Sequence, residues 1–184
     1  MNEYPEFMID LETLGTGMDA HILAIGACSL WDTEDNFYCE MLTEEQNRKI
    51  DPATIQWWME QSEEARRIFK DYEDSIPLHE ALFELLKWMR TKGNTHKAKI
   101  WSHGATFDVP IVQHALMQYG IAVPWRFWNV RDTRTLIDLI KQINNNDPMK
   151  PIREGTHHNA LDDAIYQAEW MQNILRVLIG EDNG

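Results

Sequence analysis

Two carboxylates lie two residues apart in a short apolar run near the start of the chain, Phe7-Met8-Ile9-Asp10-Leu11-Glu12-Thr13. Side chains of a β-strand alternate between its two faces, so a strand here would point Asp10 and Glu12 to the same side. Two neighbouring acids repel one another unless they share a proton or hold a divalent cation between them. The pair therefore indicates either a solvated strand end or half of a metal site.

Two further sets of acids stand where helices are expected to begin. Asp108 follows Phe107 shortly after an apolar segment, and an acid at such a position ordinarily caps the helix or interacts with its dipole. The block His157-His158-Asn159-Ala160-Leu161-Asp162-Asp163 opens the last helix, where acids are also common without a functional role. Each position, taken alone, has an ordinary structural explanation.

The hydrophobic pattern around these residues predicts an α/β fold. Three apolar segments joined by short polar connections predict an antiparallel meander, with strands at residues 7–11, 21–31 and 36–42 and a turn at residues 32–35. Helices and short strands then alternate. The expected helices cover residues 54–61, 62–70, 77–90, 107–119, 132–143 and 159–179, and the later strands cover 97–102 and 127–130. This order predicts one domain over residues 1–184, with a mixed central sheet flanked by helices.

Composition and charge narrow the class of protein. The chain has 184 residues, of which 43% are hydrophobic, and no apolar run is long enough to cross a bilayer. Without a recognisable signal peptide we expect a cytoplasmic protein (in the host cytoplasm if a phage encodes it) that has no membrane partner. The net charge of -13 argues against a broad, sequence-independent grip on nucleic acid. Cys28 and Cys39 are expected to be free thiols, and no zinc cluster is evident.

Taken in order, Asp10-x-Glu12, Phe107-Asp108 and His158-x-Ala160-x-x-Asp163 resemble the motifs of the DEDDh 3'-to-5' exonucleases. That superfamily has a ribonuclease H-like fold and includes the proofreading subunit of bacterial DNA polymerase III, oligoribonuclease and ribonuclease T. The segment Thr54-Ile55-Gln56-Trp57-Trp58-Met59-Glu60-Gln61-Ser62 is similar to the W-W-x-x-Q signature of a small phage and mycobacterial branch. That branch is described as exodeoxyribonuclease VIII-like or as 3'-5' exoribonuclease. The resemblance spans residues 8 to about 171.

The resemblance implies a set of metal-binding carboxylates, which are Asp10, Glu12, Asp108 and Asp163. The implied cofactors are two Mg²⁺ or Mn²⁺ ions, since hard oxygen ligands suit these cations. Two such ions, about 3.5–4 Å apart, clamp one phosphate between the attacking water and the leaving 3'-oxygen.

The resemblance also implies a catalytic histidine, His158, whose neutral imidazole would take the proton of the attacking water. The spacing H-x-A-x-x-D selects His158 rather than His157, and Asp163 rather than Asp162. We therefore expect His157 to be a loop residue and Asp162 to be a solvated neighbour.

The resemblance also implies contacts to the substrate, which it defines in less detail than the acids and the histidine. Leu11, Thr13 and Leu14 would contact the terminal nucleotide, with Thr13 bonded to the 3'-hydroxyl and Leu14 wedged against the base. Candidates for stacking on bases are Phe107, Trp101 and one of Trp57 and Trp58, because adjacent helix positions cannot both face one core. Core packing is the alternative for each. Several cations are candidates for the approach of the scissile strand: Arg126, Arg131, Arg134, Lys150 and Arg153.

The sequence therefore predicts a metal-dependent 3'-to-5' exonuclease that converts single-stranded DNA or RNA 3' ends to nucleoside 5'-monophosphates. Two alternatives stay open. One is an oligoribonuclease-like enzyme for very short RNAs, and the other is a non-catalytic nuclease fold that only binds nucleic acid. No motif distinguishes DNA from RNA, and a homodimer is suggested only because many relatives of this superfamily are dimers.

Overall fold

A five-stranded mixed sheet forms the centre of the computed structural model, which describes residues 4–42, 46–70, 74–145 and 147–180. The strands are β1 (Glu6–Thr13), β2 (Ile22–Ser29), β3 (Asp32–Glu40), β4 (Lys99–Ser102) and β5 (Val130–Asp132). Their order across the sheet is β3-β2-β1-β4-β5. The pairs β1–β2 and β2–β3 are antiparallel, and β1–β4 and β4–β5 are parallel. The predicted α/β fold, with a meander followed by parallel strands, is confirmed.

Within the described residues, five α-helices flank the sheet: α1 (Pro52–Met59), α2 (Leu78–Thr91), α3 (Asp108–Gln118), α4 (Thr133–Ile143) and α5 (Ala160–Leu178). The segment after α1, predicted as a short α-helix, is a single 3₁₀ segment, Ala65–Phe69. The hydroxyl of Ser62 accepts a hydrogen bond from the amide of Ala65.

The alternation of side chains along β1 divides the core into two layers. Phe7, Ile9 and Leu11 face one side, where they pack with helices α2 and α3. Met8 faces the other side, in the cluster formed with α4 and α5. Asp10 has the same parity as Met8 and lies beneath α5, whose Gln167 contacts it. Strand alternation thus directs the acids of β1 toward α5.

The meander differs from the prediction at its second turn. Residues 32–35 were expected to form this turn, but β3 begins at Asp32 and the chain reverses at Leu30 and Trp31. Leu30 is fully buried, which holds the turn against the core. Strand β3 lies at the edge of the sheet. One of its polar side chains, Asp35, accepts a hydrogen bond from Ser29 and forms an ion pair with Lys92.

The prediction of a strand at residues 127–130 was also wrong. It is a 3₁₀ segment, Phe127–Asn129, and pairing with β4 starts only at Val130. Phe127 and Trp128 are 80% and 59% exposed, so these two apolar side chains lie at the surface and do not belong to a buried strand.

Three smaller predictions concern the chain as a whole. Cys28 and Cys39 are free thiols, as expected. No helix in the described residues combines the length and apolar character needed to cross a membrane. One domain over residues 1–184 stays a prediction, since residues 1–3 and 181–184 lie outside the described part of the chain.

Candidate active site

A cavity of about 720 Å³ lies beside the end of β1 and the first turns of α5. Most of the site residues predicted from the sequence line it: Asp10, Leu11, Glu12, Thr13, Trp57, Phe107, Asp108, His158 and Asp163. Residues separated by more than 150 positions in the chain therefore meet in one place.

The acids converge because three elements end or begin here. One carboxylate oxygen from each of Asp10, Glu12 and Asp163 lies within 4.8 Å of the other two. Asp108 is the first residue of α3, and its Oδ1 accepts a hydrogen bond from the amide of Leu11 at 3.2 Å. That bond ties the start of α3 to β1, between the two acids of the strand.

Local interactions at the start of α5 hold Asp163 in position. The side chain of Asn159 caps the helix by accepting hydrogen bonds from the amides of Leu161 and Asp162. Asp162 was expected to be a solvated neighbour. Instead its Oδ2 accepts a hydrogen bond from the amide of Thr156 at 2.7 Å, and so it anchors the preceding loop to the helix.

The surroundings of Asp10, Glu12 and Asp108 disfavour their ionised forms. Burial, followed by the charges of the neighbouring carboxylates, raises the pKa of Asp10 and of Glu12 well above their ordinary values. Burial also raises the pKa of Asp108 to about 7. Positive charge in the cavity would therefore favour the ionised form of these groups.

The donor set fits divalent cations of the Mg²⁺ and Mn²⁺ type. All four side chains offer carboxylate oxygens, which are the hard ligands that these ions prefer. Asp10, Glu12 and Asp163 are close enough to contact one ion. The neighbouring carboxylates that contribute to the raised pKa values of Asp10 and Glu12 also concentrate the negative charge that attracts a cation.

Both histidines of the predicted motif reach the cavity. His158 has a left-handed backbone (φ 65°), and its amide donates a hydrogen bond to Asp163 Oδ2 at 3.1 Å. Burial and the nearby His157 lower the pKa of His158, which favours the neutral imidazole. His157 was expected only as a loop residue. It lines the cavity, with its ring centroid 3.8 Å from that of His158.

The adjacent tryptophans of α1 separate as the helical geometry requires. Trp58 is buried, and its Nε1 donates a hydrogen bond to the carbonyl of Thr13 at 2.9 Å. Trp57 is 41% exposed and lines the cavity, with its ring centroid 4.7 Å from that of His158. The structure therefore places Trp57, rather than Trp58, beside the acids.

Two residues expected to contact substrate lie elsewhere. Leu14 is buried in a cluster with Leu23 and Trp58. Simple alternation would place it on the side of Asp10 and Glu12, but the register of β1 shifts between Glu12 and Thr13 and the strand ends at Thr13. Trp101 is 5% exposed in the core beneath α5, and its Nε1 donates a hydrogen bond to Glu6. Neither lines the cavity, so the predicted wedge role of Leu14 is not supported, and for Trp101 the core-packing alternative is correct.

Of the five basic residues predicted as candidates for the approach of the strand, three line the cavity and two do not. Arg134, Lys150 and Arg153 line the cavity, and Arg153 forms an ion pair with Asp163. Arg126 and Arg131 do not line it. Arg131 donates hydrogen bonds to the carbonyls of Trp128 and Val130, away from the acids.

Sequence reasoning missed one face of α5. Tyr166, Gln167 and Trp170 line the cavity, and Gln167 Nε2 donates a hydrogen bond to Asp10 Oδ1 at 2.7 Å. These residues follow Asp163 at i+3, i+4 and i+7, so they share its helical face. That spacing was the available signal. His103, at the end of β4, also lines the cavity and stacks on Trp170.

The fold and the arrangement of acids define the class of protein. A mixed sheet with this order, two acids on its central strand, one at a following helix and one at the last helix is the architecture of the ribonuclease H-like DEDDh exonucleases. The family comparison agrees: residues 5–175 match the 3'-5' exoribonuclease Rv2179c-like domain. The chain belongs to this family of 3'-5' exonucleases.

One relative and three solved structures illustrate the similarity. An exodeoxyribonuclease of Enterobacteria phage T4 is 22% identical over 207 residues, which cover 95% of this chain and 91% of the relative. The structure of cell-death related nuclease 4 superposes with a TM-score of 0.64 at 13% identity, over 96% of this chain and 64% of that one. This chain thus spans about two thirds of that nuclease.

The nuclease domain of 3'hExo, a DEDDh family member solved with rAMP, has a TM-score of 0.56 at 17% identity, over 97% of this chain and 94% of that one. S. pombe Pop2p, solved with Mg²⁺ and Mn²⁺ bound, has a TM-score of 0.59 at 13% identity, over 98% of this chain and 86% of that one. At these identities the structures establish the shared fold.

Proposed function

We propose that this protein hydrolyses single-stranded nucleic acid from the 3' end and releases nucleoside 5'-monophosphates, using two Mg²⁺ or Mn²⁺ ions. The observation that carries this proposal is the convergence of Asp10, Glu12, Asp108 and Asp163 with His158 in one cavity. A protein that only binds nucleic acid has no need of this complete set of acids, because neighbouring carboxylates repel one another unless a cation lies between them.

Each group has a role that its position supports. The four carboxylates hold the cations, which on binding supply an activated water and stabilise the leaving 3'-oxygen. His158, kept neutral by burial, accepts the proton of the attacking water. Gln167 orients Asp10 through the hydrogen bond from its amide.

The terminal nucleotide is held by the other residues of the cavity wall. Thr13 Oγ1 donates to the carbonyl of Gly15, so its lone pairs stay available to accept a bond from the terminal 3'-hydroxyl. Trp57 and Phe107 offer apolar contacts and stacking surfaces for bases, and Leu11 lines the cavity between the two acids of β1.

The experiment is digestion of a 5'-labelled oligonucleotide in Mn²⁺ or Mg²⁺, with the products identified by chromatography. We expect stepwise shortening from the 3' end and release of nucleoside 5'-monophosphates. EDTA and the substitution Asp10→Ala should each abolish shortening. Activity that survives either one would contradict the two-metal proposal.

Matched RNA and DNA strands of the same sequence in that assay would identify the sugar that the site accepts. A series of lengths tests the oligoribonuclease-like alternative, which requires a steep preference for substrates of two to five nucleotides. Sedimentation of the purified protein tests the homodimer, which stays a prediction.

A further inference from the structure

One polar group in the cavity wall has no role in the arrangement described so far. Tyr166 lines the cavity and is only 6% exposed, yet its hydroxyl has no hydrogen-bond partner among the described residues. The donors of its neighbours on the same face of α5 have partners within the protein: Gln167 Nε2 donates to Asp10, and Trp170 Nε1 donates to the carbonyl of Pro148. A buried hydroxyl without a partner is unfavourable, so a ligand in the cavity that offers an acceptor to Tyr166 would relieve this cost.

The loop before α5 places two cations against this aromatic face. Arg153 Cζ lies 4.1 Å from the centroid of the Tyr166 ring. Lys150 Nζ lies 5.9 Å from that ring and 5.6 Å from the ring of Trp170. The chain has a net charge of -13, but these two cations make one wall of the acidic cavity locally basic.

The loop is held in place over α5, so this arrangement is built rather than accidental. Trp170 Nε1 donates to Pro148 at 2.6 Å, and Asn173 Nδ2 donates to the carbonyl of Met149 at 3.3 Å. Lys150 follows directly and has no ion-pair partner in the part of the chain that the structure describes. Its ammonium is therefore available to an anion in the cavity.

We propose that Tyr166, Lys150 and Arg153 form a subsite for the phosphate one linkage upstream of the scissile phosphate. This inference rests on the proposed exonuclease function. The ligand must offer an acceptor to a phenol and negative charge to an ammonium and a guanidinium. The non-bridging oxygens of a phosphodiester meet all three requirements.

The position of the subsite agrees with the path of a single strand. Tyr166 lies three residues after Asp163 on the same face of α5, so it is a direct neighbour of the metal-binding acids along the helix. A strand whose scissile phosphate lies at Asp163 then brings its next phosphate to Tyr166. Further along, Trp170 and His103 stack with an interplanar angle of 23° and continue the wall.

Arg153 connects the subsite to the acids, because its guanidinium lies on the Tyr166 ring and pairs with Asp163. Cations bound by the acids would compete with this ion pair and leave the guanidinium to the incoming phosphate. Arg153 thus neutralises Asp163 in the free protein and the substrate in the complex.

The test uses oligonucleotides in which one linkage is a neutral methylphosphonate. The first substrate carries it one linkage upstream of the scissile phosphate, the second carries it four linkages further upstream, and the third is unmodified. We measure release of the 3'-terminal nucleotide under single-turnover conditions. The wild-type protein should be slowed about tenfold by the neutral linkage next to the scissile one, since a bond to a charged group is lost. The distant neutral linkage should have no effect.

Variants assign that loss to the subsite. The double variant Tyr166→Phe/Lys150→Ala should be slower than wild type on the unmodified strand. The additional effect of the adjacent neutral linkage should be clearly smaller in this variant than in wild type, because only Arg153 is left to bind that phosphate and interacting groups are not additive. Tyr119→Phe and Lys141→Ala, which lie outside the cavity lining, should retain the full wild-type effect.

The outcomes separate the two proposals. If the unmodified strand is not shortened by the wild-type protein in Mn²⁺, the exonuclease function itself is wrong. If that strand is shortened and the adjacent neutral linkage has no effect, or has the same effect in the double variant, the subsite is wrong and the function stands.

Discussion

A Cβ atom on Gly26 would lie 2.1 Å from the carbonyl carbon of Ala160, so the backbone of α5 rests directly on strand β2. Gly26 is also the residue paired with Asp10 across the antiparallel β1–β2 ladder. The close approach therefore occurs beside Asp10, the first acid of the proposed metal site, and three residues before Asp163 along α5. Glycine at this position lets the two halves of the acidic site meet.

We expect Gly26→Ala to damage both stability and activity. The added methyl group meets backbone atoms that cannot rotate away, so α5 must move and carry Asp163 with it. Overpacking of this kind costs about 1–3 kcal/mol, and we expect a lower melting temperature together with a loss of about tenfold or more in kcat. Thermal unfolding and the exonuclease assay measure the two effects.

Gly17→Ala is the matched control for that substitution. Its new Cβ would meet only the carboxylate oxygen of the Asp19 side chain, at 3.1 Å. That group can rotate, so melting temperature and activity should stay near the wild-type values. Wild-type activity in Gly26→Ala would show that the contact does not position the site.

The stability of the metal-free protein should fall as pH rises through the acidic range. Asp108 has its pKa raised from the ordinary 3.8 to about 7, so the folded state binds this proton more tightly than the unfolded state. The stability linked to this group is then complete below the unfolded pKa and is lost as pH rises to about 7. Urea unfolding in EDTA between these pH values measures the slope.

Asp108→Asn removes this titrating group and keeps an oxygen that can accept the bond from Leu11. We expect a flatter dependence of the free energy of unfolding on pH, and higher stability than wild type at pH 7. A slope identical to that of the wild-type protein would mean that Asp108 does not carry the shifted proton.

The two histidines should differ in their effect on the rate. His158→Ala should reduce kcat by about 10²–10⁴, the usual contribution of a general base. His157 is exposed, whereas the amide of His158 donates a hydrogen bond to Asp163. We therefore expect His157→Ala to change kcat by less than about tenfold. Single-turnover rates on one oligonucleotide compare the pair, and the reverse order of effects would reassign the base to His157.

The tryptophans test which aromatic groups serve the substrate. Trp57→Ala should raise KM by about tenfold or more and leave stability nearly unchanged, since base stacking contributes about 1–3 kcal/mol. Trp101→Ala should lower the free energy of unfolding by about 3–5 kcal/mol, because it opens a cavity in the core and removes one hydrogen-bond donor to Glu6. A KM effect in Trp101→Ala without loss of stability would contradict the assignment.

Several parts of the site follow from the sequence through local geometry. The period of two in a β-strand is enough to put Asp10 and Glu12 on one face. The choice of Asp163 over Asp162 came instead from the resemblance to the H-x-A-x-x-D motif. The hundred-degree step of a helix separates Trp57 from Trp58. These inferences succeed because each depends on residues that are close together in the chain.

Other parts depend on which surfaces become covered, and only the tertiary structure decides that. Trp101 and Phe107 are both aromatic residues near the end of β4, yet one lies beneath α5 and the other lines the cavity. The bond of Gln167 to Asp10 and the placement of Arg153 on Tyr166 join distant segments. The sequence by itself therefore determined the chemistry of the acids and the face on which they stand, since alternation along a strand is local. The packing of α5 and its loop determined what surrounds those acids, since burial and contact depend on the whole fold.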